Sequence, residues 1–464
     1  MNLLQFLVFS IIFLISACSS PKQVDLILTN VSIVDVENGT IIPNQYIAIS
    51  NDEIIEAASV SNQNKFTSSR TIDLGGKYIM PGLWDNHVHF RGGEKLIEQN
   101  KEFLSLFLAH GITTVRDAGG DITPSLIDWK SQIEKRVLDG PTIFTSGPKL
   151  DGSRPAWEGS IEVVDINDVQ FALDSLESIN ADYVKMYDGN LTKEAFYSII
   201  EESEKRGLKT TGHMPLSADL MEAIRIGLDG TEHLYYPLKV TSSISDSLTQ
   251  LDMGYQMITP LMENYNPDIA KKAFEEIGKH EFYVTPTLHV GKTLAELLIT
   301  DHTSDSMLHY LDPKVIDTYQ RRIRSAERGG ESYTNQRAFW VESFKIMVKP
   351  MYDAGILIIA GSDSGPFNSF TYPGVSIHDE LRLLVEAGLT PQEALITSVI
   401  NGPKFFDMED SYGSIKKGKI ADLLILNANP LVDINNTKSI HSVVQNGKNY
   451  STTDLELLME RLKN

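Results

Sequence analysis

Two histidines separated by one residue, His87 and His89, form a candidate site near the start of the chain. They lie in residues 81–90 (PGLWDNHVHF), a short apolar run between glycine pairs that is typical of a buried strand. Residues two apart on a strand point to the same face, so both imidazoles can reach one point. Imidazole is the commonest metal ligand among protein side chains. The run therefore predicts part of a metal site, although an isolated pair of this kind is more often two half-buried histidines.

Further residues of ligand type stand at the ends of later strand-like runs. They are an amine, two imidazoles and a carboxylate: Lys185, His213, His233 and Asp363. Each has an ordinary structural explanation by itself, such as a strand-end lysine, a core histidine or a helix cap. Six such residues that end successive strands in this order favour one shared metal site.

The elements that must position these residues read as strands alternating with helices. The strand-like runs cover residues 81–90, 112–117, 141–145, 181–186, 208–211, 230–233, 282–288 and 355–361. Glycines that can close the preceding helix stand before several of them. This order predicts an α/β fold, a (β/α)₈ TIM barrel, in which the carboxyl ends of all strands share one mouth.

Short β segments also occupy both ends of the chain. Turn residues separate them within residues 24–79, and β character returns at residues 420–426 and 441–445. We therefore expect a small flanking β-sandwich built from both chain ends. The predicted division is a signal peptide at 1–17, the sandwich at 18–80 and 409–464, and the barrel at 81–408. Residues 234–266 and 290–336 exceed a minimal barrel and are predicted lids over its mouth.

The N-terminus predicts export. Residues 1–17 are apolar and uncharged, and they are too short to span a bilayer but fit a secretion signal. The sequence Ile-Ser-Ala-Cys that ends at Cys18 resembles a bacterial lipoprotein box, although no basic residue precedes the apolar run. Cys18 is the only cysteine, which favours lipidation there over a plain signal peptide or an uncleaved anchor. The predicted location is the cell envelope, lipid-anchored and periplasmic or surface-facing.

The charge balance excludes some partners. With 62 acidic and 41 basic residues the net charge is −21, and no basic stretch could neutralise phosphates. This excludes nucleic acid as a partner and leaves the lipid anchor as the only membrane contact. We expect a small-molecule or short peptide substrate, and the sequence leaves a homo-oligomer open.

Several motifs together resemble one enzyme family. They are PGLWDNHVH, GITTVRDAGG, YVKMY, TTGHMP, GTEHL, GSDSG, LTPQEAL and GSIKKGKIADLLIL. The chain is similar to the amidohydrolase superfamily, in its branch with a binuclear metal centre and a carbamylated lysine, which includes Xaa-Pro dipeptidases and imidazolonepropionase-related proteins. These motifs are specific for the superfamily and say little about the substrate.

The resemblance implies two divalent ions, with Zn²⁺ as the expected metal. One would be held by His87, His89 and Asp363, and the other by His213 and His233. Carbon dioxide bound as a carbamate on Lys185 would bridge them. A hydroxide shared by the metals would attack the substrate carbonyl, and Asp363 would pass a proton to the leaving nitrogen.

The implied function is hydrolysis of amide-type C–N bonds in dipeptides or N-acyl amino acids. Deamination is disfavoured, because Lys185 is present and Leu216 stands where the deaminase branch usually has a glutamate. Two alternatives remain: a lactone, ester or phosphotriester hydrolase with the same centre, and a non-catalytic lipoprotein that binds a ligand.

Further residues are candidates for contacts around the centre. Tyr187 and His289 can touch the substrate, and Arg116 or Arg154 can pair with a substrate carboxylate. A core tyrosine, a solvated loop histidine and ordinary salt bridges are the alternatives. Asp85 shares the strand parity of the two histidines, so it can orient one of them or serve as a buried structural acid.

Overall fold

The computed structural model describes residues 20–463. The predicted signal at 1–17 and the predicted lipidation site Cys18 lie outside this part of the chain. Among the described residues, no helix combines the length and the apolar character that a membrane span requires.

The N-terminal region consists of short strands. They are β1 (Lys22–Gln23), β2 (Leu26–Asp35), β3 (Thr40–Ser50), β4 (Glu53–Ser59), β5 (Phe66–Thr67), β6 (Thr71–Asp73) and β7 (Tyr78–Pro81). The longest strands of this region are β2, with ten residues, and β3, with eleven. Strand β2 pairs with β3, β6 and β7. Eight of the ten residues of β2 are buried, so residues of both side-chain parities are covered and neither face of the strand is a solvent side.

The central region alternates strands and helices. Its elements are β8 (Leu83–Val88), α1 (Ile97–Ala109), β9 (Ile112–Asp117), α2 (Thr123–Glu134), β10 (Thr142–Thr145), β11 (Leu150–Asp151), β12 (Ile161–Glu162), α3 (Ile166–Ser178), β13 (Val184–Met186), α4 (Lys193–Arg206), β14 (Thr210–Gly212), α5 (Leu220–Arg225), β15 (Gly230–Glu232), α6 (Tyr235–Lys239), α7 (Ser245–Gln250), α8 (Ile258–Glu263), α9 (Pro267–Ile277), β16 (Tyr283–Thr285), α10 (Leu288–Glu296), α11 (Pro313–Asp353), β17 (Leu357–Ile358), α12 (Val375–Glu386), α13 (Pro391–Val399) and α14 (Asn401–Phe405). Every strand-like run predicted in this region overlaps one of these strands.

The C-terminal region returns to β structure before a last helix. It contains β18 (Leu423–Leu426), β19 (Ile440–Gln445), β20 (Lys448–Tyr450) and α15 (Thr452–Glu460). These strands join the N-terminal ones in an eight-stranded sheet of order β20-β19-β18-β7-β2-β3-β4, with β6 on β2. Strand β7 is the junction, antiparallel to β18 and parallel to β2. Both ends of the chain thus build one sheet.

The central strands pair in parallel. They form three sheets of order β10-β9-β8, β12-β11-β13-β14 and β15-β16-β17. Helices separate most of these strands along the chain, as parallel crossovers require. The fold is therefore mixed α/β, as predicted, and strands β11 and β12 are additions to the predicted runs.

Local sequence explains where two of the connecting helices begin and end. The Thr192 hydroxyl caps the start of α4, and Gly207 ends it in the left-handed conformation with φ 68°. Helix α13 begins with a capping box between Thr390 and Glu393, and Pro391 is its first residue.

The stretch at 290–336, predicted as a lid, is largely helical. Helix α11 is the longest described helix, at 41 residues, and Gly330 interrupts it with φ 55° and ψ −142°. That backbone conformation is accessible mainly to glycine, so the element is two helical halves joined at Gly330. The half after Gly330 carries the aromatic residues Trp340 and Phe344.

Candidate metal centre

His87, His89 and Asp363 meet in the structure as the sequence predicts. The Nε2 atoms of His89 and His87 lie 3.1 Å and 3.5 Å from Asp363 Oδ1. Potential ligand atoms of these residues all lie within 4.8 Å of one another, and all three residues are buried. The two imidazoles stand edge to face, with ring centroids 5.1 Å apart. Two imidazoles and one carboxylate at this spacing can hold a divalent ion.

A strained backbone positions Asp363. The residue has φ 57° in the left-handed region, and its N–H donates to the His87 carbonyl at 2.7 Å. A side chain at Gly365 would clash with the His89 carbonyl oxygen, so this segment packs directly on the end of β8. Asn368 donates to Asp363 Oδ1 at 2.8 Å. Strain of this kind persists only when surrounding contacts impose it, and it clusters at functional sites.

Asp85 supports the same segment from below. Its carboxylate accepts the backbone N–H and the hydroxyl of Ser362, at 2.8 Å and 2.5 Å. Burial raises the pKa of Asp85 to about 7. Within the described chain, Asp85 accepts a hydrogen bond from the backbone N–H of His87 at 3.4 Å and none from its imidazole. Of the two predicted alternatives, this geometry favours the buried structural acid.

His213 and His233 stand beside this group. Their ring centroids are 4.9 Å apart, and the His233 centroid lies 5.5 Å from that of His87. His213 follows β14 directly, and His233 follows β15 with φ 66°, again in the left-handed region. The structure thus brings the predicted second pair next to the first group, at the carboxyl ends of the parallel strands.

All four imidazoles use the same ring nitrogen to contact the protein. The Nδ1 atoms of His87, His89, His213 and His233 lie 2.6, 3.2, 3.0 and 2.5 Å from Glu232 Oε2, Gly119 O, Asp188 Oδ1 and Thr287 Oγ1. Three of these partners can only accept a hydrogen bond, so the corresponding Nδ1 atoms must donate. In the neutral ring this leaves Nε2 with a free lone pair, which is the arrangement that orients metal-binding histidines.

Glu232 is the important residue that the sequence analysis did not identify. Besides His87, its carboxylate accepts from Arg116 Nη2 at 2.9 Å and from the Thr211 hydroxyl at 3.1 Å. Burial opposes its ionisation, but the charges of Arg116, Lys185 and His87 hold the pKa of Glu232 well below its usual value. Glu232 is therefore an anion inside the protein that fixes His87 from behind.

Lys185 is the middle residue of β13 and lies next to this carboxylate. Its Nζ lies 3.6 Å from Glu232 Oε1, and the side chain is 1% exposed. Within the described chain, this amine has no hydrogen-bond partner. Burial lowers the pKa of Lys185 to about 8, so a larger fraction of the amine is neutral than in an exposed lysine.

Comparison with known proteins identifies the family. The sequence profile described as "Amidohydrolase family" matches residues 78–450, well over half of the chain. The chain belongs to the amidohydrolase family. This confirms the predicted superfamily and the predicted enzyme class, a metal-dependent amidohydrolase acting on carbon–nitrogen bonds. Members of the superfamily use divalent metals, and the triad of His87, His89 and Asp363 is a candidate place for one.

Individual relatives of this amidohydrolase are distant but cover most of it. Imidazolonepropionase of Christiangramia forsetii is 20% identical over 431 residues, which cover 88% of this chain and 92% of that protein. Bottromycin amidohydrolase superimposes with a TM-score of 0.72 at 19% identity, over 94% of this chain and 89% of that one. A Xaa-Pro dipeptidase with bound methionine superimposes with a TM-score of 0.67 at 19% identity, over 92% of this chain and 99% of that one. At these identities the solved structures support the fold alone.

The residues predicted to contact the substrate are dispersed in this amidohydrolase. The Tyr187 ring lies 4.5 Å from that of His213 and lines the mouth. Arg116 is fully buried, pairs with Glu232 and does not line the mouth. Arg154 is exposed and away from the lining. The backbone N–H of His289 donates to Glu380 on α12 at 2.7 Å, and His289 lines neither cavity at the ligand candidates. Only Tyr187 joins the metal-ligand candidates.

Two adjoining cavities open on the ligand candidates of the amidohydrolase. The larger, of about 270 Å³, is lined by residues from both predicted lid stretches, among them Tyr235, Tyr255, Val290 and Leu294, and by Trp340 and Phe344, which follow the second stretch. The smaller, of about 60 Å³, is lined by Arg91, Lys149, Trp157, Arg322 and Asn368 together with ligand candidates. Tyr187, His213, His233, Arg322 and Asp363 line both. The candidate metal centre therefore lies between a larger space with aromatic and aliphatic walls, which Arg322 and Arg337 also line, and a smaller cationic space.

Proposed function

We propose that this amidohydrolase is a binuclear metal hydrolase that cleaves amide-type C–N bonds in dipeptide or N-acyl amino acid-like substrates. The observation that carries the proposal is the shared orientation of four imidazoles. Each is held through Nδ1, so each can offer Nε2 to a metal beside Asp363. The names of the imidazolonepropionase and Xaa-Pro dipeptidase relatives support hydrolysis at a C–N bond.

The donor set fits two divalent ions, with Zn²⁺ as the proposed metal because imidazole and carboxylate are its usual ligands. His87, His89 and Asp363 would hold one ion, and His213 and His233 the other. Lys185 would hold a carbamate, and its buried amine without a hydrogen-bond partner supports this. Bound ions of this kind supply Lewis acidity, which activates water and polarises a carbonyl.

The protein's own residues handle the proton and the substrate. Asp363 Oδ1 is engaged by Asn368 and His89, while Oδ2 has no hydrogen bond from the described residues. Asp363 Oδ2 would accept the proton of the attacking water and deliver it to the leaving nitrogen. Tyr187 would donate its hydroxyl to the substrate carbonyl oxygen. The aromatic walls of the larger cavity would exclude bulk water around the scissile bond.

We also propose that the central parallel strands form one closed (β/α)₈ barrel at residues 81–408, with residues 18–80 and 409–464 as the flanking β domain. Contacts between the separate sheets support closure. Asn86 N donates to Ala360 O at 3.0 Å, and Asp182 N donates to Thr145 O at 2.8 Å. The Thr211 hydroxyl links β14 to Glu232 on β15. Closure would place all ligand candidates at one mouth.

Export with lipidation at Cys18 remains part of the proposal for the cellular location. It rests on the apolar, uncharged residues 1–17 and on the single cysteine that follows them. Metabolic labelling of the full chain with a radioactive fatty acid, next to a Cys18→Ser variant, tests it. Label in the parent and none in the variant is expected, and an unlabelled parent contradicts it.

A substrate panel tests the activity. The metal-loaded protein is assayed with N-acyl amino acids, dipeptides, lactones and phosphotriesters, with an Asp363→Asn variant as the control. We expect turnover of the first two classes by the parent and none by the variant. Activity confined to lactones or phosphotriesters would contradict amide hydrolysis, and ligand binding without any turnover would favour a non-catalytic role.

A further inference from the structure

Cationic side chains that have no carboxylate partner converge at the smaller cavity. Arg91 and Lys149 are 5% and 3% exposed, and Arg322 is half-buried. Within residues 20–463, none of the three has a carboxylate oxygen within the 4.0 Å of an ion pair. Buried lysine and arginine side chains are almost always paired, because an uncompensated buried charge loses its hydration. The uncompensated positive charge therefore destabilises the folded protein here, and a bound anion would offset this.

The contacts that these cations do make leave their charges largely free. Arg91 Nε donates to the Pro366 carbonyl at 2.8 Å, and Arg322 Nη2 lies 3.4 Å from Asn368 Oδ1. Lys149 Nζ lies over the Trp157 ring at 5.2 Å, and the Arg91 guanidinium lies over the same ring at 4.2 Å. The Arg321 guanidinium lies 4.8 Å from the same ring centroid, so three like charges gather around Trp157, an arrangement that a shared counter-ion would stabilise.

The nearby carboxylates are engaged elsewhere. Asp117 and Asp363 are the acidic groups that act on Lys149. Asp117 accepts the Thr145 hydroxyl at 2.8 Å and the Phe90 N–H at 3.3 Å. Asp363 belongs to the ligand group and accepts from Asn368. Neither closes an ion pair with the three cations, so the cationic space next to the ligand candidates is open to an outside anion.

We propose that Arg91, Lys149 and Arg322 form a subsite for a carboxylate group of the substrate. The opposite end of the substrate then lies along the aromatic and aliphatic wall of the larger cavity, because the ligand candidates line the boundary between the two spaces. This orientation rests on the proposed function. It selects amides with a bulky aromatic or aliphatic acyl group on one side of the scissile bond and a small carboxylate-bearing amine on the other.

The subsite gives the role of carboxylate recognition to residues other than Arg116 and Arg154. Arg116 forms an ion pair with Glu232, and Arg154 is exposed. Arg91 follows His89 by two residues, and Arg322 reaches Asp363 through Asn368. The cationic subsite is therefore attached to the ligand group itself, which fixes the distance from the carboxylate to the reacting bond.

Binding of a matched pair of non-hydrolysable probes tests the subsite without requiring turnover. The pair is 4-oxo-4-phenylbutanoate, in which a methylene replaces the amide nitrogen of a benzoylated glycine, and its neutral carboxamide. Calorimetry with the metal-loaded protein should give the carboxylate an affinity about tenfold or more above the carboxamide, the range of a charge-assisted contact. The Lys149→Met variant should lose most of this preference, and Arg322→Met should reduce it.

Arg324→Met is the matched control, because Arg324 carries the same charge on the same helix and is exposed. It should keep the parent preference. Equal affinities of the two probes for the parent, an unchanged preference in both test variants, or no binding of either probe would overturn the subsite. A carboxylate preference lost in the Lys149→Met variant would support the subsite even if no amide is hydrolysed, so the two proposals can fail separately.

Discussion

Replacing Glu232 with glutamine removes one charge from the interior and leaves the side-chain shape almost unchanged. In the parent, this carboxylate accepts hydrogen bonds from His87 Nδ1 at 2.6 Å, Arg116 Nη2 at 2.9 Å and the Thr211 hydroxyl at 3.1 Å. The variant keeps one acceptor oxygen but turns an amide N–H₂ toward one of the donors. Arg116, which is fully buried, loses its only ion pair within the described chain.

The expected size of the effect follows from these contacts. Breaking a buried ion pair by removing one partner costs about 3–5 kcal/mol of unfolding free energy. The loss of an outer hydrogen bond on a metal-binding histidine lowers metal affinity by about 10–100-fold. Thr211→Val is the matched control, because it removes one neutral hydrogen bond from the same carboxylate and keeps the charge pair. Its cost should be about 1 kcal/mol.

Two measurements decide the outcome. Denaturant unfolding gives the free energy of each variant without added metal, and competition with a chelator of known affinity gives the metal dissociation constant. We expect Glu232→Gln to have a lower free energy of unfolding and a weaker metal affinity than Thr211→Val. If the glutamine variant unfolds like the control and binds metal like the parent, Glu232 does not hold His87 in a binding orientation, and that part of the reasoning is refuted.

Further perturbations have expected outcomes. Burial raises the pKa of Asp422 from 3.8 to about 7, so the folded state binds more protons between these values and stability falls as pH rises through that window. Denaturation midpoints measured at about pH 5 and about pH 8 should therefore differ less in Asp422→Asn than in the parent. An equal difference in both proteins would contradict this. Asp188→Asn should lower affinity for one ion by about 10–100-fold, because Asp188 holds His213, and titration with a metal-sensitive dye measures this. Gly365→Ala should destabilise by about 1–3 kcal/mol in thermal unfolding, since φ 136° and the His89 carbonyl leave no room for a side chain. Removal of bound metal with a chelator should lower the melting temperature, because a ligand that binds only the native state stabilises it.

Much of the site could be predicted because its signals are local. His87 and His89 share a strand face through their spacing, and each later ligand candidate follows a run whose apolar, β-branched character marks a strand. Residue type and position at a strand end were therefore sufficient for the group at the mouth. The sequence also predicted β structure at both chain ends, as a small sandwich, because turn residues separate the short β segments; the structure joins strands from both ends in one eight-stranded sheet.

The partners behind the ligands could not be predicted from spacing alone. Glu232 adjoins His233 but contacts His87, which is 145 residues away, and this pairing depends on how distant strands meet. One signal was present, since Arg116, Lys185 and Glu232 are charged residues within or ending strand-like runs, and buried charges need partners. The sequence indicated the cationic cavity less clearly. Arg91 and Lys149 lie in segments after strands, where the sequence does not fix the direction in which a side chain points.

Metal content per chain tests the central claim most directly. The purified full chain is reconstituted with zinc and bicarbonate, freed of loosely bound ions and analysed for metal by mass spectrometry, beside a Lys185→Ala variant. The account predicts two ions per chain in the parent and fewer in the variant. A parent that retains one ion or none, or a variant that retains as many as the parent, would contradict a binuclear centre bridged through Lys185.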